Sequence, residues 1–281
     1  MTTLFDRIPE SIFRVVSFVI IAILLAMIIF PLYFMLTTAF KFDREIYSTL
    51  TWIPQEPTLK NFRDVFVNFR IPLYLRNTLI VALSTTAIVV VISVLAAYAL
   101  TRLRFPGRAI MARGVLFVYL IPGSLMLIPM YLIIVKAGLK DTFPGLIVAN
   151  MSFSVPFCTW LMMGYLRSIS GEIEEASLID GCTRLRSLWH IVIPLSIPAI
   201  VTASIFIFNN VWNEFIFALV LAQNDARKMI SVGLSNFYRS DYYMVGPMMA
   251  GSLIAMTPVV TLYILAQRYV VSGLAAGAVK G

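Results

Sequence analysis

Six stretches of this chain are apolar for about twenty residues or more, at roughly 15–40, 73–100, 115–135, 142–166, 191–222 and 244–266. An α-helix rises ~1.5 Å per residue, so ~20 apolar residues cross a hydrocarbon layer about 30 Å thick. Inside that layer the backbone finds no water, and a helix satisfies every N–H and C=O within one segment. The expected fold is therefore an all-α membrane protein with about six transmembrane helices, a single domain over residues 1–281. The first stretch is long and runs on through Pro31 and Leu32 without a small-residue cleavage site, so it is read as a retained helix rather than a leader.

Composition agrees. Hydrophobic residues make up 60% of the 281 positions and charged residues 13%, about half of what a soluble chain carries. The net charge of +8 would raise nucleic acid as a partner in a soluble protein. Here the bases fall in loops between apolar runs, so they are read as setting orientation, with lipid as the surrounding partner and no nucleic acid. Counted by alternate sides, eleven basic residues fall on each, and the number alone does not orient the chain. The short loop holding Arg102, Arg104, Arg108 and Arg113 has no acidic residue, which favours that loop and both termini on the cytoplasmic side.

Residues 167–194 form a polar loop between the fourth and fifth stretches. Ser170 is placed to cap a short helix, Glu172, Glu174 and Glu175 suit its positive end, and Gly181 closes it. Ile173, Ser177 and Gly181 follow at i, i+4 spacing with Ala176 beside them, small enough for another backbone to come close. Thr183 caps a second turn, and Pro194 opens the fifth span, where its missing N–H is tolerated. On these residues alone the segment is either an amphipathic helix lying on the membrane or a helix docked on a protein.

The spacing resembles the EAA loop of ABC-importer permeases: Glu-Ala-Ala, three residues, Gly, nine residues, Ile, one residue, Leu-Pro. Glu175-Ala176-Ser177 stands for the first element, Gly181 is in register, Ile191 follows nine residues later, and Ile193-Pro194 closes it. Ser177 for Ala and Ile193 for Leu are the departures, both conservative in shape. Trp212-Asn213-Glu214-Phe215 resembles the Trp-Asn-acidic-aromatic run of carbohydrate-type permeases, and residues 267–281 are similar to the tail of the smaller permease in maltose-type systems. The resemblance implies a cytoplasmic coupling helix seated in a separate ATPase, with Glu174, Glu175, Ala176, Ser177, Asp180, Gly181 and Pro194 as its residues. It further implies a tail, Val279, Lys280 and Gly281, that reaches the ATPase; without the resemblance this is an ordinary frayed terminus.

Asn209, Asn210, Trp212, Asn213 and Glu214 lie in the fifth apolar run. Amides and a carboxylate there either hydrogen-bond a sugar, with Trp212 stacking on its face, or bond neighbouring helices. Two outer loops, near 41–72 and 223–243, are docking candidates for a binding protein, with Asn236, Phe237, Tyr238 and Arg239 in the second. By resemblance the partners are a homologous second permease, two ATPase subunits and an extracytoplasmic substrate-binding protein. No Gly-x-x-x-x-Gly-Lys-Ser/Thr occurs, and neither a nucleophile–base pair nor a metal cluster is evident, so ATP and Mg are expected on the partner and no cofactor on this chain. Two cysteines and one histidine fit neither a disulfide framework nor a zinc site. The expected function is a non-catalytic permease subunit of an ATP-driven sugar or polyol importer in the inner membrane. The competing readings are a stand-alone secondary transporter or channel, which would need embedded charges beyond Glu214, and a membrane scaffold.

Overall fold

A computed structural model describes residues 10–48, 50–239 and 242–278. The chain divides into two compact units, residues 1–70 with 237–254, and residues 71–236 with 255–281.

In the first unit, α1 (Glu10–Ala39) continues through Pro31. Its apolar side chains are exposed along the length, with Phe18 73% and Met27 68% accessible. Only hydrocarbon or another apolar surface accommodates such a face. Two short helices follow, α2 (Asp43–Ser48) and α3 (Lys60–Val67). Asn61 on α3 is buried, and its amide donates to the carbonyls of Ala39 (3.0 Å) and Lys41 (2.8 Å), tying α3 to the end of α1. Glu45 on α2 accepts from the Thr51 hydroxyl (2.6 Å) and the Gln55 N–H (3.0 Å).

The second unit is built on α4 (Ile71–Arg102). Its buried residues include Thr85, Val89, Ser93 and Ala97, a ridge at i, i+4 spacing of small or β-branched side chains. Such ridges let membrane helices approach closely. The helix packs on α7 (Phe143–Ser168) and α11 (Ile197–Trp212), and the Ser93 hydroxyl donates to the Val155 carbonyl of α7 (3.3 Å).

The stretches read as spans three and five are each two helices. The third is α5 (Arg108–Tyr119), a 3₁₀ turn (Gly123–Met126) and α6 (Leu127–Lys136), bent by 95°. Pro122 has no N–H to continue α5 and forces its predecessor out of helical geometry, so the break falls there. After α7 come α8 (Gly171–Ile179) and α9 (Arg184–Ser187). A π-helical turn (Leu188–Val192) then leads into α10 (Ile193–Leu195), and a 75° bend at Ser196 separates these from α11. Pro194 and Pro198 explain both irregularities, since each removes a donor and crowds the carbonyl four residues earlier. Among the described residues four helices are long and apolar enough to cross a membrane, and up to six spans result if each bent pair is one span.

Three further helices follow among the described residues: α12 (Ile216–Leu221), α13 (Ile230–Ser235) and α14 (Val245–Ala278). The helical backbone thus continues through most of the segment read as a tail. A two-residue ladder pairs β1 (Tyr238–Arg239) with β2 (Tyr242–Tyr243) in antiparallel register.

Candidate functional site

The polar loop after α7 is closed by hydrogen bonds at both ends of α8. The Ser170 hydroxyl accepts from the Glu172 N–H (3.3 Å) at the start of α8. At the other end Gly181 has φ +85°, and the N–H groups of Gly181 and Cys182 reach the carbonyls of Leu178 (3.1 Å) and Ser177 (3.0 Å). That pair of bonds is a Schellman closure, and it requires the left-handed residue that glycine supplies. Thr183 restarts the chain, its hydroxyl accepting from the Arg186 N–H (3.3 Å).

Glu174 is the anchor. It is buried, accepts a hydrogen bond from the Tyr98 hydroxyl, and faces Arg102 Nε at 3.3 Å. Arg102 also donates through Nη2 to the carbonyls of Leu166 (2.9 Å) and Ile169 (2.7 Å), the end of α7 and the connector after it. One guanidinium thus binds the end of α4, the end of α7 and α8 together. The Nε–Oε2 contact is an ion pair without hydrogen-bond alignment, and both atoms are shielded from water. Ser177 is equally inward: its hydroxyl donates to the Glu174 carbonyl (2.7 Å) and lies 2.8 Å from the hydroxyl of Ser187, a fully buried residue.

This splits the ridge read from the i, i+4 spacing. Ser177 faces the chain's own α9, whereas Ile173, Glu175, Asp180 and Gly181 are exposed. Ile179 is 87% accessible, and Leu185 and Trp189 extend the apolar surface. Ala176 is exposed as well, on the flank of the helix beside Glu175. Pro194 is exposed within the irregular turn before α11. Tyr98 and Arg102 were missed by sequence reasoning; the signal for them was an ionisable residue at the end of a span opposite an acidic loop.

The fifth-span residues separate into two groups. Asn209 and Asn210 line a cavity of about 350 Å³ together with Tyr119, Ser154, Phe157 and Phe206. Trp212 is buried and stacked on Phe208, with ring centroids 5.3 Å apart. The Asn213 amide is turned back onto Asn209, donating to its backbone carbonyl (2.8 Å) and Oδ1 (3.1 Å). Glu214 accepts from the N–H groups of Phe217 (2.7 Å) and Ala218 (2.8 Å), capping α12, while its carbonyl accepts from the Ser231 hydroxyl (2.7 Å).

In the loop at 223–243 Asn236 is exposed at the end of α13. Phe237 is buried against Phe69 at 4.6 Å, and Tyr238 is exposed. The backbone of Arg239 lies in β1; its side chain, like Val279, Lys280 and Gly281, falls outside the described residues. The loop before α13 is fixed by Asn77, whose amide donates to the carbonyls of Ala226 (3.1 Å) and Lys228 (3.0 Å), and by Thr78, which accepts from the Ile230 N–H (2.8 Å). Among the described residues no group of three or more His, Cys, Asp or Glu could hold a metal ion.

Residues 89–275 match the family described as binding-protein-dependent transport system inner membrane component. The chain is 35% identical over 264 residues to the inner membrane ABC transporter permease protein YcjP of Escherichia coli (strain K12), covering 93% of this chain and 94% of that one. It is 36% identical over 266 residues to the sulfoquinovosyl glycerol transport system permease protein SmoH of Agrobacterium fabrum, with 94% and 93% covered. Identity to the trehalose/maltose transport system permease protein MalG of Thermococcus litoralis is 32% over 276 residues, covering 97% and 99%. Among solved structures, a bacterial ABC transporter involved in the import of the acidic polysaccharide alginate superposes with a TM-score of 0.83 at 22% identity, over 93% of this chain and 97% of that one. At that identity the likeness is one of fold. The sequence matches span nearly the full length of these relatives, and the chain belongs to the family of inner membrane components of binding-protein-dependent transport systems.

Proposed function

We propose that this chain is the permease subunit of an ATP-driven importer of a sugar or polyol, forming half of the translocation pathway. Residues 174–181 are its coupling helix. ATP and Mg bind the partner ATPase, and no cofactor is assigned to this chain. The partners are a homologous permease, two ATPase subunits and an extracytoplasmic substrate-binding protein, and both termini are cytoplasmic.

One observation carries the reading: α8 presents Ile173 and the 87% exposed Ile179 outward while Glu174 and Ser177 bind it to the rest of the unit. A bare apolar face on a polar loop marks a surface covered by another protein or by the membrane, and the exposed Glu175 and Asp180 beside it favour a protein. The internal anchor makes α8 stiff, so a push on its outer face moves α4 and α7 instead of bending the loop. The substrate class is supported by relatives whose names specify sulfoquinovosyl glycerol and trehalose/maltose transport.

The test is Ala176→Arg, which adds charge and bulk to the outer face without touching the anchor. Expected are normal membrane insertion, loss of the ATPase on purification in mild detergent, and loss of ATP-dependent uptake. Uptake at the parent rate would refute the docking role.

A further inference from the structure

The break between α5 and α6 opens beside α7 and α11, and the cavity there is walled by four aromatic rings and two adjacent amides. Tyr119 lies 5.3 Å from Phe157, and Phe157 lies 5.9 Å from Phe206 edge-on, while Phe153 closes the side near Gly123. These rings are not all core: Tyr119 is 43% and Phe206 49% accessible. The Asn210 amide is exposed and makes no hydrogen bond among the described residues, and Asn209 uses its oxygen on Asn213 and leaves its own NH₂ free for a further acceptor.

Both features argue against a hydrocarbon lining. An unpartnered amide in lipid is costly, and an interrupted helix is tolerated at membrane depth only where it is buried in protein or lines a water-filled space. Flat apolar rings beside amide donors and acceptors complement a pyranose, which has apolar C–H faces and a rim of hydroxyls. The volume of about 350 Å³ falls at the lower end of the ~300–1,000 Å³ typical of small-molecule sites.

We propose that this cavity, between Tyr119, Phe157, Phe206, Asn209 and Asn210, is a sugar subsite on the translocation pathway contributed by this chain. It rests on the sugar-permease reading. One ring face of a passing sugar lies on Phe157 or Phe206, and Asn210 holds its hydroxyls. Trp212 and Glu214 take no part, because packing on Phe208 and capping of α12 occupy them.

The test uses the complete transporter with its binding protein. Asn210→Cys is exposed in permeabilised membranes to a charged, membrane-impermeant thiol reagent, with trehalose, maltose or glucose present or absent; the parent chain gives the background of Cys158 and Cys182. Expected is labelling several-fold above the parent, slowed at least ~5-fold by whichever of the sugars the parent transports. Asn210→Leu and Phe157→Leu should each raise the half-saturating concentration for that sugar ~10-fold while binding-protein-stimulated ATP hydrolysis persists. If the thiol introduced by Asn210→Cys reacts only with an apolar maleimide, it lies against lipid and the subsite is overturned. The same holds if that thiol is left unprotected by a sugar that the parent takes up, an outcome that leaves the permease reading standing. A parent that takes up a polyol and no sugar overturns the subsite alone, and one that takes up only solutes of neither class overturns both.

Discussion

Arg102 and Glu174 form an ion pair largely withdrawn from water, with 16% and 7% of their side chains accessible. Such a pair adds little net stability, but losing one partner strands the other charge at a cost of about 3 kcal/mol or more. Arg102→Met should therefore lower the unfolding temperature in detergent and uncouple ATP hydrolysis from uptake, whereas the double variant with Glu174→Met should recover most of the stability and little of the coupling. Thermal unfolding and uptake measured across the four-variant cycle check this, and full recovery of uptake would reduce the pair to packing. A second carboxylate sets a pH dependence. The Thr51 hydroxyl, with the Gln55 N–H and the Lys41 ammonium, holds the Glu45 carboxyl below its ordinary value of 4.5 against the opposing effect of burial. A depressed folded value means the stabilisation is complete above 4.5 and disappears as pH falls through the lower folded value. Thr51→Val should weaken the parent at neutral pH, and the difference from the parent should shrink in an acid titration of thermal unfolding. Near the start of α14 a Cβ added to Gly246 would sit 2.6 Å from Asn61 Oδ1. Gly246→Ala must displace the amide that ties α3 to α1, so it should destabilise the chain by ~1–3 kcal/mol, read in the same unfolding assay.

At the scale of the element, α8 owes its length to its two ends. The Ser170 cap and the Schellman closure at Gly181 were both legible in the sequence, because capping chemistry is local and uses residue types that do little else in a span. Gly181 has no atom within 4 Å of an added Cβ, so Gly181→Ala tests conformation alone: a left-handed alanine costs ~1–2 kcal/mol. Uptake should fall partly with alanine and completely with a bulky residue that also obstructs the partner. Equal loss for both would mean that shape at the docking face is irrelevant. The inward turn of Ser177 was not legible. The spacing placed it on one ridge with Ile173, and only the position of Ser187 decides which flank of that ridge faces the chain. The breaks at Pro122 and Ser196 were equally hidden. A proline in an apolar run is compatible with a mild kink or a 95° bend, and neighbouring helices decide which. Trp212 and Glu214 read as pathway residues because their types suit sugars, and packing gives them other work.

For the whole molecule, the number of spans and the side of each loop are one question. Among the described residues, four unbroken helices and two bent pairs give six crossings only if each bent pair passes through the bilayer. A pair that turned back would put the loops before and after it on one side. The α5–α6 pair is the sharper case, since 95° alone is compatible with re-entry. Charge argues for crossing. Arg104, Arg108 and Arg113 cluster at the start of α5 without a carboxylate, which favours the cytoplasmic side for the loop between α4 and α5. Beyond α6, Asp141 accepts from the Asn224 N–H (2.8 Å) and its own N–H donates to the Leu221 carbonyl (2.8 Å), binding that loop to the one that Asn77 holds at the first turns of α4. Because α4 is an unbroken span of 32 residues, its two ends lie on opposite faces of the membrane. That places the loop at 137–142 at the end of α4 away from Arg104, and α5–α6 is expected to cross. Arg104→Cys and Lys140→Cys, made one at a time, should react with an impermeant thiol reagent from opposite faces, the first in inverted vesicles and the second in intact spheroplasts. Reaction of both from one face would make the pair re-entrant, reverse the sidedness of every later loop, and remove α8 from the side where ATP is found.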